Sequence, residues 1–270
     1  MSDDQSLPPG ALTGAVAVVV GGASGIGRTV AKALARQGAR VVIADFDAAR
    51  MERTVEELLR LGSSDAALAL ATDVRSDASV RSLARDAIRT MGRVDILINM
   101  AGVLLQGKLG SVTTRDWEWM LETNLLGAVR TTGAFLPHML ERGSGHVVNA
   151  VSAGGLVPGD PLTIAYDSGY AALVAFTRSL AVGVRGTGVK VSLYCTGAKG
   201  PRIGQNTRSR GLGRLLHPAA GLEERSAADQ MADSLLAALH EPRFLILADP
   251  GESESLRGRW EDLELSGRQA

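Results

Sequence analysis

The sequence predicts a single-domain, doubly wound α/β fold, a parallel sheet of about seven strands with helices on both faces. Short runs of β-branched and small apolar residues alternate with longer amphipathic segments, which is how a sheet covered on both faces reads. A glycine-rich turn, Gly21-Gly22-Ala23-Ser24-Gly25-Ile26-Gly27, sits between the first apolar run and the first helical one. The 270 residues show no fixed-period repeat and no linker, so one unit is expected, within the size such sheets reach.

In order, the first strand is Ala15 to Val20 and the first helix Arg28 to Gln37. A second strand, Arg40 to Ala44, leads to a helix from Ala48 to Leu61, and a third, Ala66 to Ala71, to a helix from Ala78 to Met91. Ile96 to Asn99 is the fourth strand. A long helical pattern follows from Arg115 to Glu141, with a kink or break expected at Pro137, because proline lacks the N–H and crowds the preceding turn. Strand His146 to Val151, helix Tyr166 to Gly183, strand Lys190 to Cys195, helix Ala227 to His240 and strand Phe244 to Leu247 complete the series. Right-handed crossovers then wind the chain into a Rossmann-type sheet. Residues 13–250 are assigned to this domain, and residues 1–12 and 251–270 to terminal tails.

Composition narrows the function classes. Basic and acidic residues number 29 each and cancel, with 45% hydrophobic residues, which excludes a disordered tail, a collagen and an obviously basic nucleic-acid-binding protein. Neutrality also argues against a broad footprint for acidic membranes. No apolar stretch approaches the roughly 18 residues of a spanning helix, and residues 1–10 carry no basic group, so a soluble, cytoplasmic protein is expected. Cys195 is the sole cysteine, so no intrachain disulfide forms and a reducing compartment is the simpler reading. His138, His146, His217 and His240 lack metal-ligand spacing, and no metal is expected.

Glycines in the first turn let backbone amides approach a pyrophosphate, while the helix N-terminus favours negative charge. Asp45, at the end of the second strand, lies 18 residues beyond Gly27. A carboxylate there accepts hydrogen bonds from the adenosine ribose and repels a 2′-phosphate, which favours NAD over NADP.

With these residues in view, the sequence resembles the short-chain dehydrogenase/reductase family over nearly its whole length. Gly21, Gly25 and Gly27 match its glycine pattern; Asp73-Val74 its adenine-contacting pair; Asn99-Met100-Ala101-Gly102 its Asn-Asn-Ala-Gly turn. Thr123-Asn124-Leu125 is similar to the helix bearing the active-site Asn, and His146 to Ser152 to the strand ending in the active-site Ser. The resemblance implies hydride transfer between a nicotinamide and an alcohol or ketone, a small-molecule substrate, and a homodimer or homotetramer paired through the helices that carry Asn124 and Tyr170. It places cofactor contacts at Gly21, Ser24, Gly25, Ile26, Gly27, Asp45, Asp73, Val74, Asn99, Ala101 and Gly102.

The resemblance also implies Tyr166 as acid/base, Ser152 fixing the substrate oxygen, Asn124 on a proton relay, and a Lys four residues after the Tyr. Here that position is Tyr170, so YxxxK has become YxxxY. A phenol has a pKa near 10 and an adjacent ammonium lowers it, whereas a second phenol brings no positive charge. Tyr170 lies on the Tyr166 helix face at i+4 and its hydroxyl can bond the nicotinamide ribose. Two other uses of the cleft stay open, a redox-neutral lyase, isomerase or cyclase and a non-catalytic NAD-binding homologue.

Residues 196–220 read as a long mobile loop, carrying Lys199, Arg202, Arg208, Arg210 and Arg214 without one acidic residue. An anionic substrate group held there, with Arg202 as the bidentate contact, is set against loop charge balanced by distant acids. Lys199 is a candidate for the missing cation. Trp117 and Trp119 read as packing or subunit contact.

Overall fold

The computed structural model describes residues 11–61, 67–157, 160–196, 206–212, 223–249, 253, 254 and 256. Seven strands form one parallel sheet: β1 (Val16–Val20), β2 (Arg40–Asp45), β3 (Ala67–Ala71), β4 (Ile96–Asn99), β6 (Gly145–Val151), β7 (Val189–Cys195) and β9 (Leu245–Leu247). Their order is β3-β2-β1-β4-β6-β7-β9. The chain winds outward from β1 to one edge and returns from β4 to the other, so the switch point lies between β1 and β4, where such sheets leave a crevice at their carboxyl ends.

Period-two burial explains the layers. Ala17 and Val19 of β1 pack with Val30 and Leu34 of α1 (Gly25–Arg36), Met51 and Leu58 of α2 (Ala48–Leu59), and Leu235 of α7 (Glu223–His240). Val16, Val18 and Val20 face the other way, toward Leu83 and Ala87 of α3 (Asp77–Met91) and Phe135 and Met139 of α5 (Leu126–Arg142). Among the described residues no helix is long and apolar enough to cross a membrane. The 1–10 and 257–270 parts of the expected tails lie outside the described residues.

Three expectations are corrected. The long helix is interrupted at Leu125, not at Pro137: α4 (Thr114–Asn124) ends and α5 begins around Leu125, whose φ of −101° and ψ of −64° are distorted from the helical mean, and α5 runs through Pro137. Asn124, the last residue of α4, binds the backbone of Val103 through its side chain. Pro137 is tolerated because it and Gly133, whose carbonyl it frees, both face solvent.

The first helix begins at Gly25 rather than Arg28, so the glycine turn supplies its first turn. Nor is the 196–220 segment a loop throughout. Thr207–Arg210 form a strand, β8, paired in parallel with an unanticipated strand, β5 (Leu104–Gly107). Local charge and glycine content hid this strand, since its partner lies a hundred residues away.

At the β4–β6 register pair, Asn99 and Asn149 form a buried polar post. Asn99 Nδ2 donates to Asn149 Oδ1 at 2.8 Å, Thr131 Oγ1 donates to Asn99 Oδ1 at 2.7 Å, and Asn149 Nδ2 donates to Thr177 Oγ1 at 3.0 Å. All four residues are at most 5% exposed, so the network locks α5 and α6 (Ile164–Gly183) to the sheet centre.

Elsewhere in β6, His146 is buried against Ser192 of β7 at 2.8 Å, and Ser192 donates to the Arg243 carbonyl. Burial, with the Lys190 charge adding, pushes the imidazole down to about 4. The unfolded chain therefore binds a proton that the folded one refuses between about pH 6.5 and 4, and stability present above pH 6.5 is lost as pH falls through that window. We expect a loss of up to about 3 kcal/mol from this group. Urea unfolding at pH 7 and pH 5, with His146→Gln as the variant that flattens the difference, checks it.

Candidate dinucleotide cleft and active site

The glycine turn closes at the carboxyl end of β1. Gly21 has φ +80°, and a Cβ there would fall 2.6 Å from the Ala101 nitrogen; one on Gly27 would fall 2.2 Å from the Gly21 carbonyl oxygen. Backbone thus packs on backbone, which residues with side chains forbid. At the N-terminus of α1, Ser24 makes no side-chain cap and the first turn holds no acidic residue. These amide donors and the positive end of the helix fit a pyrophosphate.

Asp45, half-buried at the end of β2, accepts the Ala23 N–H through Oδ2 at 3.1 Å, which ties the β2 end to the glycine turn. Asp73 and Val74 follow β3. The Asp73 carboxylate is bonded twice by Arg75, at 2.9 and 2.8 Å, and that hydrogen bonding holds its pKa below the usual carboxylate range. Val74 packs beneath α5, where a Cβ on Gly127 would meet its Cγ2 at 2.9 Å. Ala101 and Gly102 follow β4 in the turn facing Gly21, while the Asn99 side chain is turned into the sheet.

On the other side of the switch point, Asn124 of α4 holds Val103 in both directions, accepting its N–H and donating to its carbonyl, both at 2.8 Å. Tyr166 and Tyr170, one helical turn apart on α6, stand edge to face with ring centroids 4.7 Å apart and planes at 85°. The Tyr170 hydroxyl reaches Gly102, where a Cβ would lie 2.8 Å from it. Ser152, after β6, interacts with the Tyr166 hydroxyl, as does Tyr170.

Both tyrosines are buried, 9% and 7% exposed. Burial holds Tyr166 well above the ordinary 10, with the Tyr170 oxygen and the Asp167 carboxylate adding to the rise and Ser152 opposing it. Burial also pushes Tyr170 up to about 12. Asp167, 7% exposed, accepts from Thr163 Oγ1 at 2.9 Å and fills the space beside Gly154. No reading of the sequence pointed to it, although its place directly after Tyr166 was visible.

The structure brings the glycine turn, Asp45 and the turn after β4 to one side of the crevice, and Asn124, Ser152, Tyr166 and Tyr170 to the other. Lys199, Arg202 and Arg214 lie outside the described residues. Arg208 and Arg210 do have acidic company. Arg210 binds Asp116 bidentately at 2.9 and 2.7 Å, and Arg208 stacks 3.9 Å above the Trp119 ring with Asp116 at 4.0 Å. Asp116 is also N3 of a capping box with Thr113, a Thr-x-x-Asp pattern readable in the sequence.

Residues 15–210 match the family model described as short chain dehydrogenase. Oxidoreductase UcpA of Salmonella typhimurium is 36% identical over 188 residues, 70% of this chain and 70% of its own. An uncharacterized oxidoreductase of Staphylococcus aureus is 36% identical over 186 residues, 69% of this chain and 78% of its own. Among solved structures, a short chain dehydrogenase/reductase from Burkholderia phymatum in complex with NAD superposes with a TM-score of 0.81 at 31% identity, covering 94% of this chain and 96% of that one. An actinorhodin polyketide ketoreductase with NADPH aligns with a TM-score of 0.64 at 33% identity, covering 67% and 69%.

Proposed function

The chain belongs to the short-chain dehydrogenase family, and from that premise we propose that it is an NAD-dependent oxidoreductase whose Tyr166 acts as a neutral proton donor in the reduction of a ketone. The observation that carries this reading is the uncharged, buried pair of phenols where an ammonium and a phenol are expected. When bound, the nicotinamide supplies the hydride. Tyr166 Oη gives its proton to the substrate oxygen as charge builds there, Ser152 holds that oxygen, and Tyr170 orients Tyr166 and faces the ribose side at Gly102. The Asn124 bonds to Val103 fix the strand that walls the cleft.

A raised phenol pKa suits this direction. Reduction uses the protonated form, so its rate is flat with pH below the folded pKa; alcohol oxidation uses the phenolate and climbs about tenfold per pH unit up to it. The test follows consumption of reduced nicotinamide with a ketone panel between pH 6 and 9. Product formed without its consumption would favour the redox-neutral use of the same neutral acid, and nicotinamide binding without turnover of any ketone would favour a non-catalytic homologue.

The pyrophosphate is assigned to the turn at Gly21, Ser24, Gly25, Ile26 and Gly27, the ribose to Asp45, and the adenine to the surface of Asp73 and Val74. Asn99, Ala101 and Gly102 shape the wall opposite. We expect NAD to bind about tenfold or more tightly than NADP, because a carboxylate at the ribose repels a phosphate. Asp45→Ala should narrow the preference to within about threefold, or some 0.7 kcal/mol, in calorimetric titration.

A homo-oligomer joined through the helices that carry Asn124 and Tyr170, α4 with its continuation α5 and α6, belongs to the same proposal. The exposed face of α6 carries Ala171, Ala172, Ala175 and Val182 together with Ser168, Arg178 and Ser179, and Leu140 is exposed on α5. Light scattering at micromolar concentration should give a dimer or tetramer mass.

A further inference from the structure

We propose that Gln106 and Ser209 form a substrate subsite, a pair of hydrogen-bonding side chains that takes a second oxygen of the substrate and so selects ketones carrying a further carbonyl, ester or carboxylate group. The inference rests on the oxidoreductase reading above and names the substrate class of that same cleft.

Gln106 is a buried polar residue, 6% exposed, and its Nε2 has no hydrogen-bond partner among the described residues. Ser209 Oγ is likewise buried and unpartnered. The two are not scattered defects, because they are register partners across the β5–β8 ladder. Folded proteins pair almost all such groups, so two orphans set opposite each other offer bonds that a ligand oxygen drawn between them would complete. An amide presents its N–H or, by rotating, its carbonyl, and a hydroxyl both donates and accepts.

Strand alternation says which way they face. Leu104, two residues before Gln106, packs in the cluster that contains Tyr166 and Tyr170, whereas Leu105 packs with Met120 and Ala165. Gln106 therefore shares the tyrosine-side face, and so does Ser209 opposite it. Arg208 and Arg210 occupy the other face, where Trp119 and Asp116 hold them. The Asp116 clamp pins β8 to β5 and leaves the tyrosine side of the ribbon free of its charges.

The ribbon is also fixed to both halves of the active site. At its start Val103 is held by Asn124, and at its end the Gly107 N–H donates to the Leu162 carbonyl, two residues before the α6 helix that carries Tyr166. A donor mounted on such a frame is preorganised. A ketone whose reacting oxygen meets Tyr166 and Ser152 would present a second oxygen to this pair.

Wild type, Gln106→Leu and Ser209→Ala are to be compared with NADH on ethyl acetoacetate and on methyl pentyl ketone, which has the same chain length without the ester oxygens. Wild type is expected to favour the keto ester by about tenfold or more in kcat/KM. Gln106→Leu should lose about that factor on the keto ester, chiefly through KM, and Ser209→Ala a smaller part of it, with the simple ketone unchanged. Free Gln106→Leu protein should melt no lower than wild type, and about 2–4 °C higher if the orphaned amide is removed cleanly. Equal falls on both substrates, no preference in wild type, or a lowered Tm would overturn the subsite. If neither substrate consumes NADH, the oxidoreductase reading fails, and calorimetric binding of the keto ester then decides the subsite by itself. Binding weakened in Gln106→Leu upholds it; binding that is unchanged, or absent from wild type, overturns it.

Discussion

Tyr170→Lys is expected to raise alcohol oxidation at pH 7 by about 100-fold or more, and to move the break in its pH profile down toward neutrality. The wild-type phenol sits well above 10 in a site where burial, Tyr170 and Asp167 all push against ionisation. Fewer than about one molecule in a thousand then carries the phenolate at pH 7. An ammonium at i+4 stabilises that phenolate, and each unit by which it lowers the pKa is worth about 1.4 kcal/mol. The sign differs by direction. Oxidation, which needs the base, gains at neutral pH; reduction, which needs the acid, is unchanged at pH 6 and falls at high pH, where the wild type is still flat. Initial rates in both directions across pH 6 to 10 check this. Unchanged oxidation in a variant that still reduces ketones would show that the proton does not pass through Tyr166.

Gly27→Ala is expected to weaken NADH binding by more than about 100-fold, roughly 2.7 kcal/mol, in a fluorescence titration. The added methyl would lie 2.2 Å from the Gly21 carbonyl oxygen and 3.3 Å from the Gly22 Cα, so relief requires the turn itself to open. Opening moves the amides proposed to hold a pyrophosphate, while the sheet, held by its own ladder, persists in circular dichroism. Gly133→Ala is the control. Gly133 lies in α5 with nothing within 4 Å of an added Cβ, and alanine there should leave binding unchanged and raise stability by about 0.5–1 kcal/mol. Binding retained within threefold in Gly27→Ala would remove the glycine turn from the cofactor site.

The strands of the main sheet were legible because each writes its burial into a few consecutive residues, as Val16 to Val20 and Val147 to Val148 do. Helix limits were less so. Pro137 carries the strongest local signal of a break, yet the interruption falls at Leu125, beside Asn124, whose side chain binds Val103, 21 residues away. The Asn149 position shows a polar residue in a buried run, but not that Asn99 and Thr177 satisfy it. Likewise the basic segment displayed five cations and no acid, and the acid was Asp116, 94 residues from Arg210.

By itself the sequence determined the doubly wound sheet, the glycine turn with Asp45 at the next strand end, and the presence of a second tyrosine four residues after Tyr166. Those are properties of periodicity and short spacing, which a chain carries wherever it folds. Tertiary structure decided the rest: that both phenols are buried and driven upward in pKa, that Asp167 adds negative charge beside them, and that β8 docks on β5 and leaves Gln106 facing Ser209. Desolvation and hydrogen-bond satisfaction depend on what stands within a few ångströms, and those neighbours come from segments far apart in the chain.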